Sequence, residues 1–166
     1  MQPAVPIHRA QQRPPHPVTS AARSPGHRFL NIGSGTGYLS SVAGVLLGGG
    51  GNGGADGPGS INHGLELYGD VAQFAHDRAC SLVDGLGPTS AAEFCAPLFA
   101  AGNCWFLAAG PSSQRYDRIY CGAAIPDGSP GIFNRLFGLL APGGVMVVPV
   151  EDQLRRFAAL PGSGGA

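Results

Sequence analysis

The most regular pattern of apolar and polar positions begins with a short apolar strand that ends at glycine. Residues 29–32 are apolar apart from one asparagine and stop at Gly33, which is typical of a buried strand. Residues 38–47 then repeat apolar side chains with the period of an α-helix. One face of this predicted helix carries Leu39, Val42, Ala43 and Leu46. The pattern therefore predicts a strand, a glycine turn and a helix in succession.

A second strand and helix are predicted from residue 61 onward. Residues 61–68 alternate apolar and polar side chains, which suits a half-buried strand. Asp70 precedes the next helical pattern and Gln73 follows three residues later, an arrangement that predicts a capping box. The apolar face of this helix is expected to carry Val71, Phe74, Ala75 and Leu82.

Three more strands complete the predicted sheet. They cover residues 98–101, 116–122 and 145–150, and the last is the clearest buried strand in the chain. Ser129 and Pro130 predict the start of a helix before that strand. Five strands that alternate with helices predict an α/β fold with a doubly wound, mostly parallel sheet. Ligands bind such sheets at the carboxyl ends of the strands, near the first glycine turn.

The segments outside this pattern have compositions that favour flexibility. Residues 1–28 are rich in Pro and Arg, contain no acidic residue, and are predicted to be disordered. Residues 48–60 are dominated by glycine and are interpreted as an inserted flexible loop. Residues 157–166 are interpreted as a flexible tail. The folded domain is therefore predicted to span residues 29–156.

Composition and charge exclude several classes of function. All ten basic residues are Arg, and a chain without Lys cannot form the phosphate-binding P-loop, which needs one. The Arg residues are scattered, so no nucleic-acid-binding surface is predicted. No apolar run is long enough to span a membrane. The four cysteines lack the paired spacing of a metal site, and reduced thiols in a cytoplasmic protein are predicted.

The spacing of three glycines indicates which ligand the first turn holds. Gly33, Gly35 and Gly37 follow Asn31 at alternate positions, whereas a dinucleotide site needs a small residue where Tyr38 stands. This pattern favours an adenosine ligand with an amino-acid tail, which is S-adenosylmethionine. An ordinary tight loop is the alternative in so glycine-rich a chain.

An acidic residue near the end of the second predicted strand supports the ligand interpretation. In nucleotide-binding α/β folds such an acid lies about 20 residues beyond the first glycine and holds the ribose hydroxyls. Glu66 lies 33 residues after Gly33, and removing the thirteen residues of the insertion leaves 20. Glu66 is therefore the candidate ribose ligand.

Five motifs carry a resemblance to a known family. They are NIGSGTGYL at 31–39, NHGLEL at 62–67, GN at 102–103, YDRIYCGAA at 116–124 and PGGVMVVPVEDQL at 142–154. Together they resemble the protein-L-isoaspartate O-methyltransferase family, most closely its branch of PCMT domain-containing proteins, over about residues 29–156. The resemblance implies a Rossmann-like methyltransferase fold, S-adenosyl-L-methionine as cofactor, and a protein or peptide substrate that carries isoaspartyl residues.

The resemblance also implies a set of site residues. The implied cofactor-binding residues are Asn31, Gly33, Ser34, Gly35, Gly37, Glu66, Leu67, Asn103, Cys121 and Gly122. Asn103 would lie near the adenine, where the family's enzymes usually carry Asp, and its amide oxygen can still accept a hydrogen bond. Cys121 and Gly122 would face the methyl group. No metal and no catalytic side chain are implied, because the isoaspartyl carboxylate is already an ionised nucleophile that needs mainly alignment.

Two departures from the family's pattern bear on activity. The family's substrate loop, which reads roughly TISAPHMH and precedes a helix, is matched only faintly by residues 18–21. The family continues with two strands beyond the fifth, so the chain is interpreted as truncated at both ends, with an exposed apolar sheet edge. The chain is interpreted as an active isoaspartyl methyltransferase, a non-catalytic cofactor-binding module related to cullin ubiquitin-ligase receptors, or an inactive truncated isoform. Ligase partners are expected only of longer forms.

Overall fold

The computed structural model describes residues 26–48, 59–108, 115–125 and 130–161. The strands are β1 (Arg28–Ile32), β2 (Ile61–Glu66), β3 (Leu98–Ala101), β4 (Tyr116–Cys121), β5 (Leu140–Val150) and β6 (Gln153–Ala158). The helices are α1 (Tyr38–Leu47), α2 (Gly69–Gly85), α3 (Pro88–Ala92) and α4 (Pro130–Phe137), and a single 3₁₀ turn covers Cys104–Phe106. No helix within the described ranges is long and apolar enough to cross a lipid bilayer.

The strands form one sheet in the order β3-β2-β1-β4-β5-β6. The first five strands are parallel and β6 runs antiparallel to β5. This arrangement confirms the predicted α/β class and the doubly wound, mostly parallel sheet. The strand order reverses direction between β1 and β4, which is where such sheets open a crevice for ligands.

The predicted number of five strands is wrong, because β6 adds a sixth. It pairs with β5 from Val150↔Gln153 to Val145↔Ala158, so it extends two residues into the segment interpreted as a tail. Its sequence, Gln-Leu-Arg-Arg-Phe-Ala, lacks the apolar alternation that marks a buried strand, and all but one of its residues are exposed. Charged side chains on an edge strand discourage pairing with a further strand, so β6 protects the edge that was expected to be apolar.

The main hydrophobic core lies between the sheet and α4. Its buried members are Leu30, Ile32, Ile119, Cys121, Ile125, Leu136, Phe137, Leu139, Leu140, Met146 and Val148. Alternate residues of β1, β4 and β5 supply this face, since side chains along a strand alternate between the two faces. The core therefore joins the central strands on the side of the sheet opposite α1 and α2.

Helix α2 differs from its prediction in both its start and its buried face. The helix begins at Gly69, so Asp70 lies inside the first turn and accepts a hydrogen bond from its neighbour Val71 instead of capping the helix. The buried residues are Ala72, Ala75 and Ala79, whereas Phe74 and Leu82 are exposed. Small side chains let the helix approach the sheet closely, and the larger apolar residues are left facing outward.

Several predictions fall outside the described ranges. Residues 1–25 and 49–58 lie there, which removes most of the predicted disordered segment and of the glycine-rich insertion from description. The faint substrate-loop match at 18–21 and the predicted cap at Ser129 lie there as well. Within the described part, β5 begins at Leu140, before its predicted start. Gly143 has a φ of 76° and the pairing of β5 with β4 is irregular there, so the predicted Pro-Gly-Gly turn is an irregularity within the strand.

Candidate cofactor site

The candidate site lies where the carboxyl ends of β1 and β4 meet. The Gly122 amide donates a hydrogen bond to the Ile32 carbonyl at 2.7 Å, which joins the two strand ends. The Gly33 and Ser34 amides both donate to the Leu65 carbonyl of β2, at 2.8 and 3.1 Å. Three strand ends are therefore fixed against one another by backbone hydrogen bonds, and the loop after β1 crosses above them.

The three glycines of this loop all adopt left-handed backbone conformations. Gly33, Gly35 and Gly37 have φ values of 70°, 54° and 82°. Residues with a Cβ adopt this region at a cost of roughly 1–2 kcal/mol each, so the alternating glycines are required by the path of the chain. A Cβ on Gly35 would meet no atom of the described ranges within 4 Å, so those ranges leave the space above this residue open.

Glycine is required at position 37 for a further reason, which is the lack of space for a side chain. A Cβ on Gly37 would lie 2.8 Å from Cζ of Phe99 and 3.1 Å from Cβ of Ala75, which is too close for either contact. The Phe99 ring also covers Gly64, where a Cβ would lie 2.6 Å from Cε1 of the ring. Phe99 thus supports the loop from below, a role that the motif alone does not reveal. The paired glycines at 37 and 64 are the signal that a large side chain fills the space between them.

Glu66 connects the glycine loop to the start of α2. Its Oε2 accepts a hydrogen bond from the Gly35 amide at 2.8 Å. Its Oε1 accepts from the amides of Leu67 at 2.8 Å and Tyr68 at 3.2 Å. The residue is only 8% exposed, and a carboxylate has about four acceptor positions. Three are used by the backbone, so Glu66 keeps capacity for one more donor at the crevice.

Asn103 and three exposed apolar residues border the crevice beside β3. The Gly102 amide donates to the Glu66 carbonyl at 2.8 Å, which places the end of β3 next to that of β2. Asn103 Oδ1 accepts from the Trp105 amide at 2.9 Å and thereby caps the 3₁₀ turn. Leu67, Trp105 and Phe106 are all more than half exposed. The strand ends therefore present a polar floor beside an apolar rim.

Solved structures of methyltransferases share this fold. A protein-L-isoaspartate O-methyltransferase from Plasmodium falciparum, in complex with S-adenosyl-L-homocysteine, superposes with a TM-score of 0.60 at 20% identity, over 86% of this chain and 61% of that one. A methyltransferase from Geobacter sulfurreducens, also with S-adenosyl-L-homocysteine, gives a TM-score of 0.51 at 24% identity, over 75% of this chain and 41% of that one. These likenesses confirm the Rossmann-like methyltransferase fold.

Sequence comparison identifies the family. No family model matches the chain. The protein-L-isoaspartate O-methyltransferase of Methanopyrus kandleri is 30% identical over 129 residues, which make up 78% of this chain and 46% of that protein. This chain belongs to the protein-L-isoaspartate O-methyltransferase family. It spans about half the length of the curated relative that it matches.

Three of the residues implied by the family resemblance lie beneath the crevice surface. Asn31 is 1% exposed, and its Nδ2 donates to Ser40 Oγ in α1 at 3.0 Å. Ser34 is buried and its hydroxyl has no hydrogen-bond partner among the described residues, while Gly37 is buried against Phe99. In this chain, Asn31 and Gly37 hold the glycine loop in place from the side opposite the crevice.

Cys121 lies at the end of β4 with its side chain in the core. The thiol is 0% exposed and packs under α4, so its burial does not support the predicted contact with the methyl group, which stays a prediction. Burial raises the pKa of this thiol to about 11, although the backbone of Ala123 has a weaker opposing effect. The thiol donates a hydrogen bond to the Ala123 carbonyl at 3.2 Å. The thiol therefore stays protonated at neutral pH. Gly122, which is exposed, is the residue of this pair that reaches the crevice.

The remaining implied residues lie at the crevice itself. Gly33, Leu67, Asn103 and Gly122 are exposed at four neighbouring strand ends. Glu66 and Gly35 join them through the hydrogen bond described above. The structure thus brings together a backbone loop, one carboxylate and one amide, which are the groups that suit a ribose, an adenine and an amino-acid tail.

Proposed function

We propose that this crevice binds S-adenosyl-L-methionine and that the chain belongs to a methyltransferase for isoaspartyl carboxylates of damaged proteins. The observation that carries the proposal is the Glu66 carboxylate, which is held against the Gly35 amide at 2.8 Å where β2 ends. A carboxylate fixed at this point is placed to accept hydrogen bonds from a ribose diol. The family membership and the two complexes with S-adenosyl-L-homocysteine support the same assignment.

The residues present fit the proposed cofactor. The open space above Gly35 allows a ligand to approach the backbone closely. The buried, unpartnered hydroxyl of Ser34 offers a donor and an acceptor at the loop. Asn103 keeps one acceptor position on Oδ1 and both amide hydrogens, which suits the amino group and a ring nitrogen of adenine. Leu67 and Trp105 supply apolar surface for the flat face of the base.

The proposed reaction needs alignment more than acid–base chemistry. When bound, S-adenosyl-L-methionine would supply an electrophilic methyl group on a sulfonium, and that methyl would pass to a carboxylate oxygen while the bonding electron pair stays on sulfur. The contribution of this chain is to hold the reacting groups in line and to exclude water.

Binding is tested by thermal unfolding with and without S-adenosyl-L-homocysteine, followed by the fluorescence of Trp105, the only tryptophan. Ligand at a hundredfold over its dissociation constant stabilises the folded state by about 2.7 kcal/mol. We expect that stabilisation in the native chain and in Glu93→Gln, an exposed control, and its loss in Glu66→Gln. Equal stabilisation of all three variants would contradict the role given to Glu66.

Turnover is tested separately, by transfer of a labelled methyl group to an isoaspartyl peptide. The expected result is base-labile incorporation that requires the peptide and disappears in Glu66→Gln. The same peptide with an ordinary aspartyl residue is the control, since it presents its carboxylate on a differently connected backbone. Ligand binding without any transfer would favour the non-catalytic cofactor-binding module instead.

A further inference from the structure

The outward side of α2 carries a histidine and a cysteine one turn apart. His76 and Cys80 are both exposed, and Cys80 Sγ lies 3.6 Å from His76 Nε2. The helix buries Ala72, Ala75 and Ala79 against the sheet, so the pair takes no part in the core. It is also separate from the crevice, which lies at the strand ends before the first turn of α2.

The separation of the two donor atoms matches that required by a tetrahedral metal ion. Zinc binds cysteine sulfur at about 2.3 Å and histidine nitrogen at about 2.0–2.1 Å, so a tetrahedral angle places the two atoms roughly 3.5 Å apart. The observed separation of 3.6 Å between Sγ and Nε2 is close to this value. Side chains at i and i+4 of a helix lie on the same face, which is how helix-borne zinc sites pair two ligands.

The charges of α2 favour a cation at this position. The helix contains three Asp residues and one Arg, which is a net charge of minus two when the histidine is neutral. Arg78 lies 5.2 Å from the centre of the Phe74 ring, on a part of the helix turned away from the pair. Asp84 follows Cys80 by four residues and so lies on the same side of the helix. A metal bound at the pair therefore meets a negative surface.

We propose that His76 and Cys80 form a two-ligand site for a thiophilic divalent cation of the Zn²⁺ or Cd²⁺ class. The S–H bond of Cys80 breaks, its electron pair forms the sulfur–metal bond, and the proton passes to solvent. His76 Nε2 donates its lone pair. Among the described residues no cluster of three or more His, Cys, Asp or Glu side chains could hold a metal, so water fills the other positions. The sequence predicted no metal site because the cysteines lack paired spacing. A pair made of one histidine and one cysteine is not covered by that reasoning.

The test is a titration of the full chain with Cd²⁺, followed by the ultraviolet absorption of the thiolate–cadmium bond, and with Zn²⁺ as competitor. We expect one equivalent to bind in the native chain. Cys80→Ser and His76→Gln should each weaken binding by roughly tenfold or more, a loss that even outer partners of a metal can produce. Cys104→Ser, which removes a partly buried thiol elsewhere, should leave the titration unchanged.

Exchange of the two ligands provides the positive control. The double variant His76→Cys with Cys80→His keeps one sulfur and one nitrogen at the same spacing, so it should restore binding to near the native level. Binding that survives His76→Gln at full strength would show a lone thiol and overturn the proposal, as would a titration that is the same in every variant. These outcomes do not depend on the cofactor crevice, so they leave the proposed methyltransferase function untouched.

Discussion

The carboxyl ends of β2 and β4 border one crevice but present different groups to it. At the end of β2, Glu66 directs its carboxylate at the glycine loop, and three backbone amides hold its two oxygens. At the end of β4, Cys121 turns its side chain into the core and Gly122 is the exposed residue. One strand end supplies a fixed charge and the other supplies exposed backbone.

The difference arises from the alternation of side chains along each strand. Asn62, Gly64 and Glu66 are the buried residues of β2, and Asn62 bonds to the Ser40 carbonyl in α1, so this set faces α1 and α2. Ile119 and Cys121 share the opposite face of the sheet with α4. The last residue of a strand therefore reaches the crevice only when its face is the one that the loop crosses. Substitutions at the two ends should accordingly have different effects.

The largest effect is expected from removal of the Glu66 carboxylate. Glu66→Ala leaves the amides of Gly35, Leu67 and Tyr68 without their acceptor in a largely buried position. Hydrogen bonds to charged groups contribute about 1.5–3 kcal/mol each and are not additive, so we expect a loss of about 2–4 kcal/mol in the free energy of unfolding. Denaturant unfolding measures this, with the exposed Glu93→Ala as control. Equal stability of the two variants would contradict the structural role of Glu66.

A second large effect is expected where Phe99 supports the loop. Gly37→Ala puts a Cβ 2.8 Å from the Phe99 ring at a φ of 82°, so both overpacking and backbone strain act. We expect a destabilisation of roughly 2–4 kcal/mol. Gly48→Ala is the matched control, because Gly48 has a φ of 68° and no atom of the described residues lies within 4 Å of the new Cβ, so only the backbone strain remains.

The contact itself can be isolated by a double variant. Phe99→Leu shortens the ring side chain, so Gly37→Ala should cost less in that background than in the native chain. A cost of Gly37→Ala that is the same in both backgrounds, in urea unfolding, would show that Phe99 does not set the requirement for glycine.

The sequence predicts the path of the chain better than the position of side chains around it. The helix α1 is predicted at its observed bounds, and β1 to β4 are predicted to within two residues at either end. The glycine spacing and the register of Glu66 also lead directly to the crevice. These features depend on local backbone preferences and on the number of residues between them, which a single sequence contains.

Features that depend on packing between distant segments were not predictable in the same way. Alternation puts Cys121 on the same face of β4 as Ile119, but only the packing of α4 on that face shows that it is the core and not the crevice side. The alanine face of α2 was missed because apolar size suggested Phe74 and Leu82 as the buried side chains. Strand β6 was missed because an exposed edge strand needs no apolar alternation. The buried faces of β4 and α2 are decided by the elements packed against them, whereas β6 pairs with its sequence neighbour β5 across residues 151–152.

A third prediction concerns Cys121, whose substitution should change the stability of the core and leave ligand binding unchanged. Cys121→Ala removes a small buried side chain, so we expect a loss of about 1 kcal/mol in the free energy of unfolding and no change in affinity for S-adenosyl-L-homocysteine. The ordinary pKa of the thiol is 9.0 and burial raises it to about 11 in the folded state. Because the folded state favours the protonated form, its contribution is complete below pH 9 and is lost as pH rises toward 11.

Comparison of the two chains over that pH range isolates this thiol from the others. The native chain should lose about 2–3 kcal/mol more than Cys121→Ala between pH 8 and 11, as the linkage between a pKa shift and stability requires. The measurement is urea unfolding at intervals of one pH unit. Parallel curves for the two chains, or a weaker affinity for the ligand in the variant, would place Cys121 in the crevice after all.

The smallest expected effect lies in the hydrogen bond that joins β2 to β4 across β1. His63 Nδ1 lies 2.9 Å from the Tyr116 hydroxyl. Burial lowers the pKa of His63 below 6.5, and the positive charge of Arg28 lowers it further. The folded state therefore favours the neutral imidazole, so its contribution to stability is present above pH 6.5 and is lost as pH falls below that value.

Substitution of His63 should remove that dependence on acid. Between pH 7 and pH 5 the native chain should lose stability relative to His63→Gln, because only the native side chain must take up a proton against burial and the charge of Arg28. His76→Gln, on the exposed side of α2, is the matched control and should retain the native dependence. Thermal unfolding in a series of buffers measures it. If the stability of His63→Gln falls with pH as steeply as that of the native chain, other groups govern stability in acid. The strands β2 and β4 then differ only at the crevice.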